Sequence, residues 1–369
     1  TNKFKSAEAQ QLRLAFEEVT GQDLNWFWNQ WYFGSGQPDI TINYDYNNGK
    51  ERVIVDQTQT SGKVFKLPLY IDVYGEGASK KRYNVWVENK SDTFYFASAV
   101  KPTLVNVDAE KVLLVKKTDN KSAENYVHQW KYAPNYLDRK EALAYFAKNK
   151  MSDLVNGLTD KYWGIRLFTL EAMEQNKSYE VPTVLNGIEQ VAAKDPNKKV
   201  QAKALEILGT VNDKKYQPLF TKYVNDSSYT VSGAALEALT KLEPAEAYSL
   251  AKKYSNDSKG KLGEIVSKVL IDNATEEDFD IILQHFKNAP LTQTKIQESM
   301  GFAGYLVKVK NSANVKKGVD EIMNLRNKIP KQYRSYVDPA FKQAFSKIST
   351  VKKDEGNTEL YNYIDGLLK

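Results

Sequence analysis

Cysteine is absent from the 369-residue chain. Disulfides, thiolate nucleophiles and Cys-ligated zinc are therefore excluded. Histidine is nearly absent: His128 and His285 are the only two. A zinc peptidase of the H-E-x-x-H type needs two histidines one helical turn apart, and these two lie far apart in sequence. A Ser-His-Asp arrangement would have to use one of the same pair. Their settings, Tyr126-Val127-His128-Gln129-Trp130 and Leu283-Gln284-His285-Phe286, read as helix segments in which each histidine is structural. Neither G-x-G-x-x-G nor G-x-x-x-x-G-K-[ST] occurs, so no glycine loop is offered to a phosphate. No run reaches the ~18 apolar residues of a membrane span. The first residues, Thr1-Asn2-Lys3-Phe4, include neither an initiator Met nor an apolar signal-peptide core, and the opening reads as a cut from a longer protein. The net charge of +6 is interspersed rather than gathered into a basic stripe, so no nucleic-acid partner is expected.

What is present falls into three regimes of periodicity. Residues 1–36 are helical in pattern. Leu12, Leu14, Ala15, Phe16 and Val19 crowd one side, and Thr20-Gly21 reads as a helix stop with Gly left-handed. Asp23 is placed to cap a second helix from Leu24 to about Tyr32. That helix carries Trp26, Phe27, Trp28 and Trp31, and it is stopped by Gly34-Ser35-Gly36 and Pro38. Aromatics on nearly every face predict burial at a domain junction rather than a sugar platform or membrane anchor.

From 37 to 117 the period becomes two. Ile40, Ile42, Tyr44 and Tyr46 alternate with polar residues up to Asn48-Gly49, a hairpin turn signal. Val53 and Val55 follow, then Phe65 to Val73, Tyr83 to Val87, Phe94 and Phe96, Leu104 to Val107, and Val112 to Val115. Seven or so short strands predict an antiparallel β-sandwich. The polar stretch 116–123 reads as a linker. Tyr44, Tyr46, Tyr70 and Tyr74 reflect sheet propensity rather than a sugar site.

From 118 to 369 the pattern is helical and repeats. Asp160, Asp195, Asp226 and Asp257 each stand five residues before Ile165, Val200, Val231 and Leu262, and nine before Thr169, Ala204, Ala235 and Val266. Each Asp is placed to cap the second helix of a hairpin, with the apolar positions facing the next hairpin. That is the logic of a HEAT/ARM-like α-solenoid, whose units bury their cores only by stacking. The repeat weakens after about 275, while helical patterning runs on to Leu367-Leu368. Gly233, within Ser232-Gly233-Ala234-Ala235, suits close helix packing. Glu276-Glu277-Asp278 and Asp280 read as an acidic helix N-terminus, not an acid–base pair.

The run Leu14-Ala15-Phe16-Glu17-Glu18-Val19-Thr20-Gly21-Gln22-Asp23-Leu24-Asn25-Trp26-Phe27-Trp28-Asn29-Gln30-Trp31, with Gly36-Gln37-Pro38 after it, resembles the end of the thermolysin-like domain in M1 zinc aminopeptidases. There the family reads roughly F-E-x-x-[ST]-G-x-D-L-x-x-F-F-x-Q-W. Ile40 to Tyr46, Gln57-Thr58-Gln59, Phe65-Lys66-Leu67-Pro68-Leu69 and Lys101-Pro102-Thr103-Leu104-Val105-Asn106-Val107-Asp108 are similar to its sandwich domain. The similarity is specific over about 1–117 and architectural beyond.

The resemblance implies a multidomain β + α chain. Residues 1–36 would end the catalytic domain, 37–117 form the β-sandwich, and 118–369 form the HEAT-like domain. It also implies a non-catalytic C-terminal portion that supports and covers the peptidase site and restricts access to peptide N-termini. The family's zinc ligands, amine-binding Gly-Ala-Met-Glu-Asn run and transition-state Tyr would all precede Thr1. No catalytic, cofactor-binding or metal residue is therefore assigned in this chain, and zinc is expected in the full-length protein. The implied partners are the N-terminal and catalytic domains of the same polypeptide and the peptide substrates of the whole enzyme. Ala172-Met173-Glu174-Gln175-Asn176 imitates the amine-binding run, but Glu171 stands where Gly should be and a Gln interrupts it. A free-standing HEAT-repeat adaptor without peptidase activity is the alternative. Composition favours a periplasmic or secreted bacterial location slightly over a cytoplasmic one.

Overall fold

The computed structural model describes residues 3–256 and 259–367. The chain divides into two compact units, Thr1–Leu154 and Val155–Lys369.

The first unit opens with α1 (Ala9–Thr20), which Gly21 ends in the left-handed conformation at φ 67°. Helix α2 (Asn25–Phe27) continues without a break into a π-helical turn, Trp28–Tyr32. Leu24, not Asp23, is the N-cap of α2. The Asp23 carboxylate instead accepts the Asn25 N–H at 2.8 Å.

Seven strands follow: β1 (Asp39–Asn47), β2 (Lys50–Gln57), β3 (Leu67–Tyr74), β4 (Lys80–Val87), β5 (Ser91–Ala97), β6 (Leu104–Val107) and β7 (Lys116–Asp119). They form two sheets, ordered β5-β2-β1-β7 and β4-β3-β6. The β1–β2 hairpin pairs Ile42 with Val55 and Tyr46 with Glu51. Its turn residues Asn48 and Gly49 both take positive φ, as a type I′ turn requires. The alternating residues Ile40, Ile42, Val53, Val55, Leu67, Leu69 and Ile71 meet between the sheets as one hydrophobic core.

Residues 112–115 form no strand, and the strand lies instead in the polar stretch read as a linker. There β7 pairs in parallel with β1, Asp39 opposite Lys116 and Ile42 opposite Asp119. Its charges hide the pattern because they are spent inside the fold. Lys117 Nζ lies 2.8 Å from Glu141 Oε1, and Lys121 Nζ lies 2.8 Å from Asp119 Oδ2. Burial pushes the Asp119 carboxyl up, but Lys121 and Lys117 outweigh it and hold it below its usual value. Helices α3 (Ala123–Tyr132) and α4 (Tyr136–Lys148), read from the sequence with the solenoid, belong to this compact unit for the same reason.

The second unit is built of helical hairpins. Helices α6 (Pro182–Lys194) and α7 (Lys198–Val211), α8 (Gln217–Tyr223) and α9 (Tyr229–Leu242), and α10 (Pro244–Tyr254) and α11 (Gly260–Asn273) pair in sequence. The helices α5 (Trp163–Asn176), α7, α9 and α11 stack side by side. Ile165, Val200, Val231 and Leu262 are buried, as are Thr169, Ala204, Ala235 and Val266, so the repeat positions do form the inter-hairpin core. The recurring Asp residues act differently from expectation. The N-caps of α5, α7 and α9 are Tyr162, Asn197 and Ser228. Asp160, Asp195 and Asp226 each accept the N–H two residues ahead, at 2.8 Å, shaping the turn that enters the helix. Asp195 also takes Arg166 from α5, and Asp226 takes Lys198 from α7. Asp257 and Leu368 lie outside the described residues. Beyond α11 come α12 (Phe279–Asn288), α13 (Gln293–Lys308), α14 (Ser312–Lys328), α15 (Lys331–Asp354) and α16 (Thr358–Asp365).

Candidate functional site

The most distinctive surface of the first unit is built by its opening helices. Helix α1 buries none of its side chains. Leu12, Leu14, Phe16 and Val19 are all exposed, Val19 at 86 %, together with Phe4, Phe27, Tyr32 and, at 69 %, Phe33. Monomeric surfaces rarely leave such a concentration of large apolar groups to water.

The expectation of an aromatic helix buried on every face is thus half met. Trp28 is buried, Trp26 meets Trp86 edge-on at 5.4 Å, and Trp31 packs on Phe65 at 5.6 Å. The remaining aromatics face outward.

The segment is nonetheless held firmly. The Gln30 side chain pairs with the Lys66 backbone as a strand neighbour would: Nε2 donates to the carbonyl at 3.0 Å, and Oε1 accepts the N–H at 2.7 Å. Lys63 Nζ donates to the carbonyls of Gln30 and Ser35 at 3.2 Å, closing the end of the π-turn. Glu17 accepts from Arg13 and from the Leu24 N–H, fixing α1 against the turn. The apolar face is therefore displayed on an ordered support.

The two histidines lie in different units. His128, on α3, is partly buried, its ring 4.5 Å from Tyr132 and its Nε2 3.3 Å from Thr103 Oγ1. Burial lowers its pKa. It lines an open cavity of about 580 Å³ with Lys101, Glu124 and Lys131. His285, on α12, is buried, with Nδ1 2.7 Å from the Ser255 carbonyl oxygen, and burial lowers its pKa as well. Among the described residues neither is hydrogen-bonded to a carboxylate: His128 meets the Thr103 hydroxyl and the Gly77 backbone, and His285 meets the backbone of Ser255 and Gly263. No group of three or more His, Cys, Asp or Glu side chains that could hold a metal ion occurs among them either.

The remaining sequence candidates are consumed structurally. Glu174, in the imitation of the amine-binding run on α5, accepts from Lys203 at 2.6 Å, while Ala172 and Met173 are buried. Asp278 closes a capping box with Thr275 and accepts the Tyr248 hydroxyl at 2.5 Å. Gly233 fits the role read for it: a Cβ there would stand 2.7 Å from the Leu262 nitrogen.

Two carboxylates escaped the sequence reading. Glu298 on α13 is pushed up to about 7 by burial, with the nearby Glu264 adding to the shift. Both line a cavity of about 100 Å³ with His285. Glu51 on β2 is buried at 4 % exposure, and its Oε2 has no hydrogen-bond partner. Its signal was available, since Glu51 shares the core-facing alternation of β2 with Val53, Val55 and Gln57. None of the helices is long and apolar enough to cross a membrane among the described residues.

Residues 185–263 match the family of HEAT repeats. No curated protein matches the chain. The structure is similar to that of aminopeptidase A from Legionella pneumophila, crystallised in complex with aspartic acid, with a TM-score of 0.51 and 11% sequence identity over 95% of this chain and 52% of that one. At that identity the likeness is one of fold, and the chain spans about half the length of that protein.

Proposed function

We propose that the chain is the C-terminal portion of an M1-type zinc aminopeptidase. Residues 1–36 would complete the catalytic domain, the sandwich would brace it, and the solenoid would cover the cleft and restrict access to peptide N-termini.

The observation that carries this reading is the exposed apolar face of α1 and the π-turn, held on an ordered support. A large upstream domain of the same polypeptide is its natural cover. The likeness to about half of an aminopeptidase supports the same view. The zinc of such an enzyme does not fit this chain's residues, because His128 and His285 belong to different units and, among the described residues, neither joins a set of metal-binding side chains. The metal and the hydrolytic chemistry would both reside upstream.

The test is to express the chain alone and within its complete reading frame, then assay both on aminoacyl chromogenic substrates. Chelator-sensitive hydrolysis is expected only from the complete product, whose upstream part should encode H-E-x-x-H. An initiator Met immediately before Thr1, with no such motif in frame, would overturn the proposal in favour of a HEAT-repeat adaptor. So would zinc-dependent hydrolysis by this chain alone.

A further inference from the structure

We propose that the cavity around Glu51, at one end of the sandwich, binds a small organic cation: a primary ammonium or guanidinium group on a short chain. The cavity measures about 260 Å³ and is lined by Tyr44, Tyr46, Glu51, Lys101, Asn120 and Asn125 among others. Glu51 sits at the end of a core-facing row, where a hydrophobe would complete the sandwich. A buried carboxylate oxygen without a donor costs free energy, and such groups call for an explanation.

The cavity's other polar groups are committed in a way that leaves acceptors. The Tyr44 hydroxyl donates to Asp119 at 2.7 Å, and the Tyr46 hydroxyl donates to the Ser98 carbonyl at 3.1 Å. Each spends its only proton and has lone pairs left to offer. Asn120 Nδ2 donates to Asn43, and Asn125 Nδ2 to the Thr103 carbonyl. The one buried ammonium at the wall, Lys121, is held by Asp119 and Gln129. Each amide keeps a second N–H, but none reaches Glu51 Oε2, so a ligand that brings donors and a positive charge matches it. The two tyrosine rings add faces that favour a cation.

Lys101 stands exposed at the rim without an ion pair to Glu51, and its charge partly offsets the rise that burial imposes on the Glu51 carboxyl, which reaches about 7. Asp45 adds to the rise. The larger cavity beside His128 shares Lys101, Pro102, Ser122 and Asn125, giving room for the chain that carries the cation.

Agmatine is the probe, titrated calorimetrically into the chain at a pH of about 8, where Glu51 is ionised. Saturable one-site binding is expected, weakened about tenfold or more by Glu51→Gln and strengthened by Lys101→Met, which removes the like charge at the rim. The neutral N-butylacetamide should not bind. The proposal fails if agmatine gives no saturable heat up to about 10 mM, if folded Glu51→Gln binds it as well as the parent, or if the neutral amide binds equally. Should Glu51→Gln not fold, Lys101→Met decides: unchanged or weaker binding overturns the assignment.

Discussion

Lys111 Nζ lies 2.8 Å from Asp138 Oδ1, and both side chains are buried, at 5 % and 0 % exposure. Asn106 completes the cluster, accepting from Lys111 at 2.8 Å and donating to Asp138 at 2.9 Å. The pair joins the end of the sandwich to α4. Removing one partner of a buried ion pair strands the other without compensation. Asp138→Ala should cost about 3–5 kcal/mol in the unfolding of the first unit, followed by guanidinium titration. The double variant Asp138→Leu/Lys111→Met should recover much of that loss. A loss below about 1 kcal/mol for the single variant would mean that solvent reaches the pair.

Asp278 gives the second unit an acid-sensitive element. Burial pushes its carboxyl up, but hydrogen bonds from Tyr248, Thr275 and Lys252 outweigh it and hold it at about 2, against an ordinary 3.8. Because the folded value is the lower one, its contribution is fully present above about pH 4 and is lost as pH falls towards 2. Asp278→Asn should therefore destabilise the unit by about 2 kcal/mol at neutral pH and by little at about pH 2. Urea unfolding at both pH values checks this, and an equal loss at the two would contradict it.

Gly233 and Gly301 offer a matched contrast. A Cβ on Gly233 would stand 2.7 Å from backbone atoms of Lys261 and Leu262, which cannot yield without separating α9 from α11. On Gly301, in α13, its nearest neighbours would be Ile271 side-chain atoms at 3.6 and 3.7 Å, an ordinary contact. Gly233→Ala should destabilise by about 1–3 kcal/mol, while Gly301→Ala should stabilise by about 0.5–1 kcal/mol. Thermal melts of the two variants should shift in opposite directions.

The exposed face of α1 bears directly on the proposed function. Val19→Lys with Phe33→Lys touches little within the first unit. In the chain alone it should lower dye binding and self-association without loss of melting temperature. In the complete polypeptide it should depress peptidase activity at least tenfold by disturbing the junction. Unchanged activity there would show that the face is not covered by the catalytic domain.

Much of this fold is legible in sequence because local chemistry dictates it. Ile40 and Ile42 alternate, Asn48-Gly49 can take two positive φ values, and the positions after Asp160, Asp195 and Asp226 place apolar groups at helical spacing. What was missed depends on tertiary partners. Lys116–Asp119 looks like a linker until Glu141 and Lys121 are brought beside it. The Asp residues were read as caps, yet the turn preceding each helix claims them first. Glu51 is hard to place from sequence because a charged residue ordinarily lies at the surface, although its register with Val53 and Val55 faces it inward. The apolar stripe of α1 announced a buried face, but only the folded chain shows that nothing described covers it.

The parallel pairing of β7 with β1 has a consequence for how the protein comes into being. On a ribosome, Asp39 emerges long before Lys116, and the charges that β7 carries inward meet Glu141 later still. Lys111 must likewise await Asp138. The β1–β2 hairpin can pair once Gln57 has emerged, but the edge of β1 that β7 covers stays open until residues 116–119 follow, and the ion pair that holds β7 is complete only with Glu141.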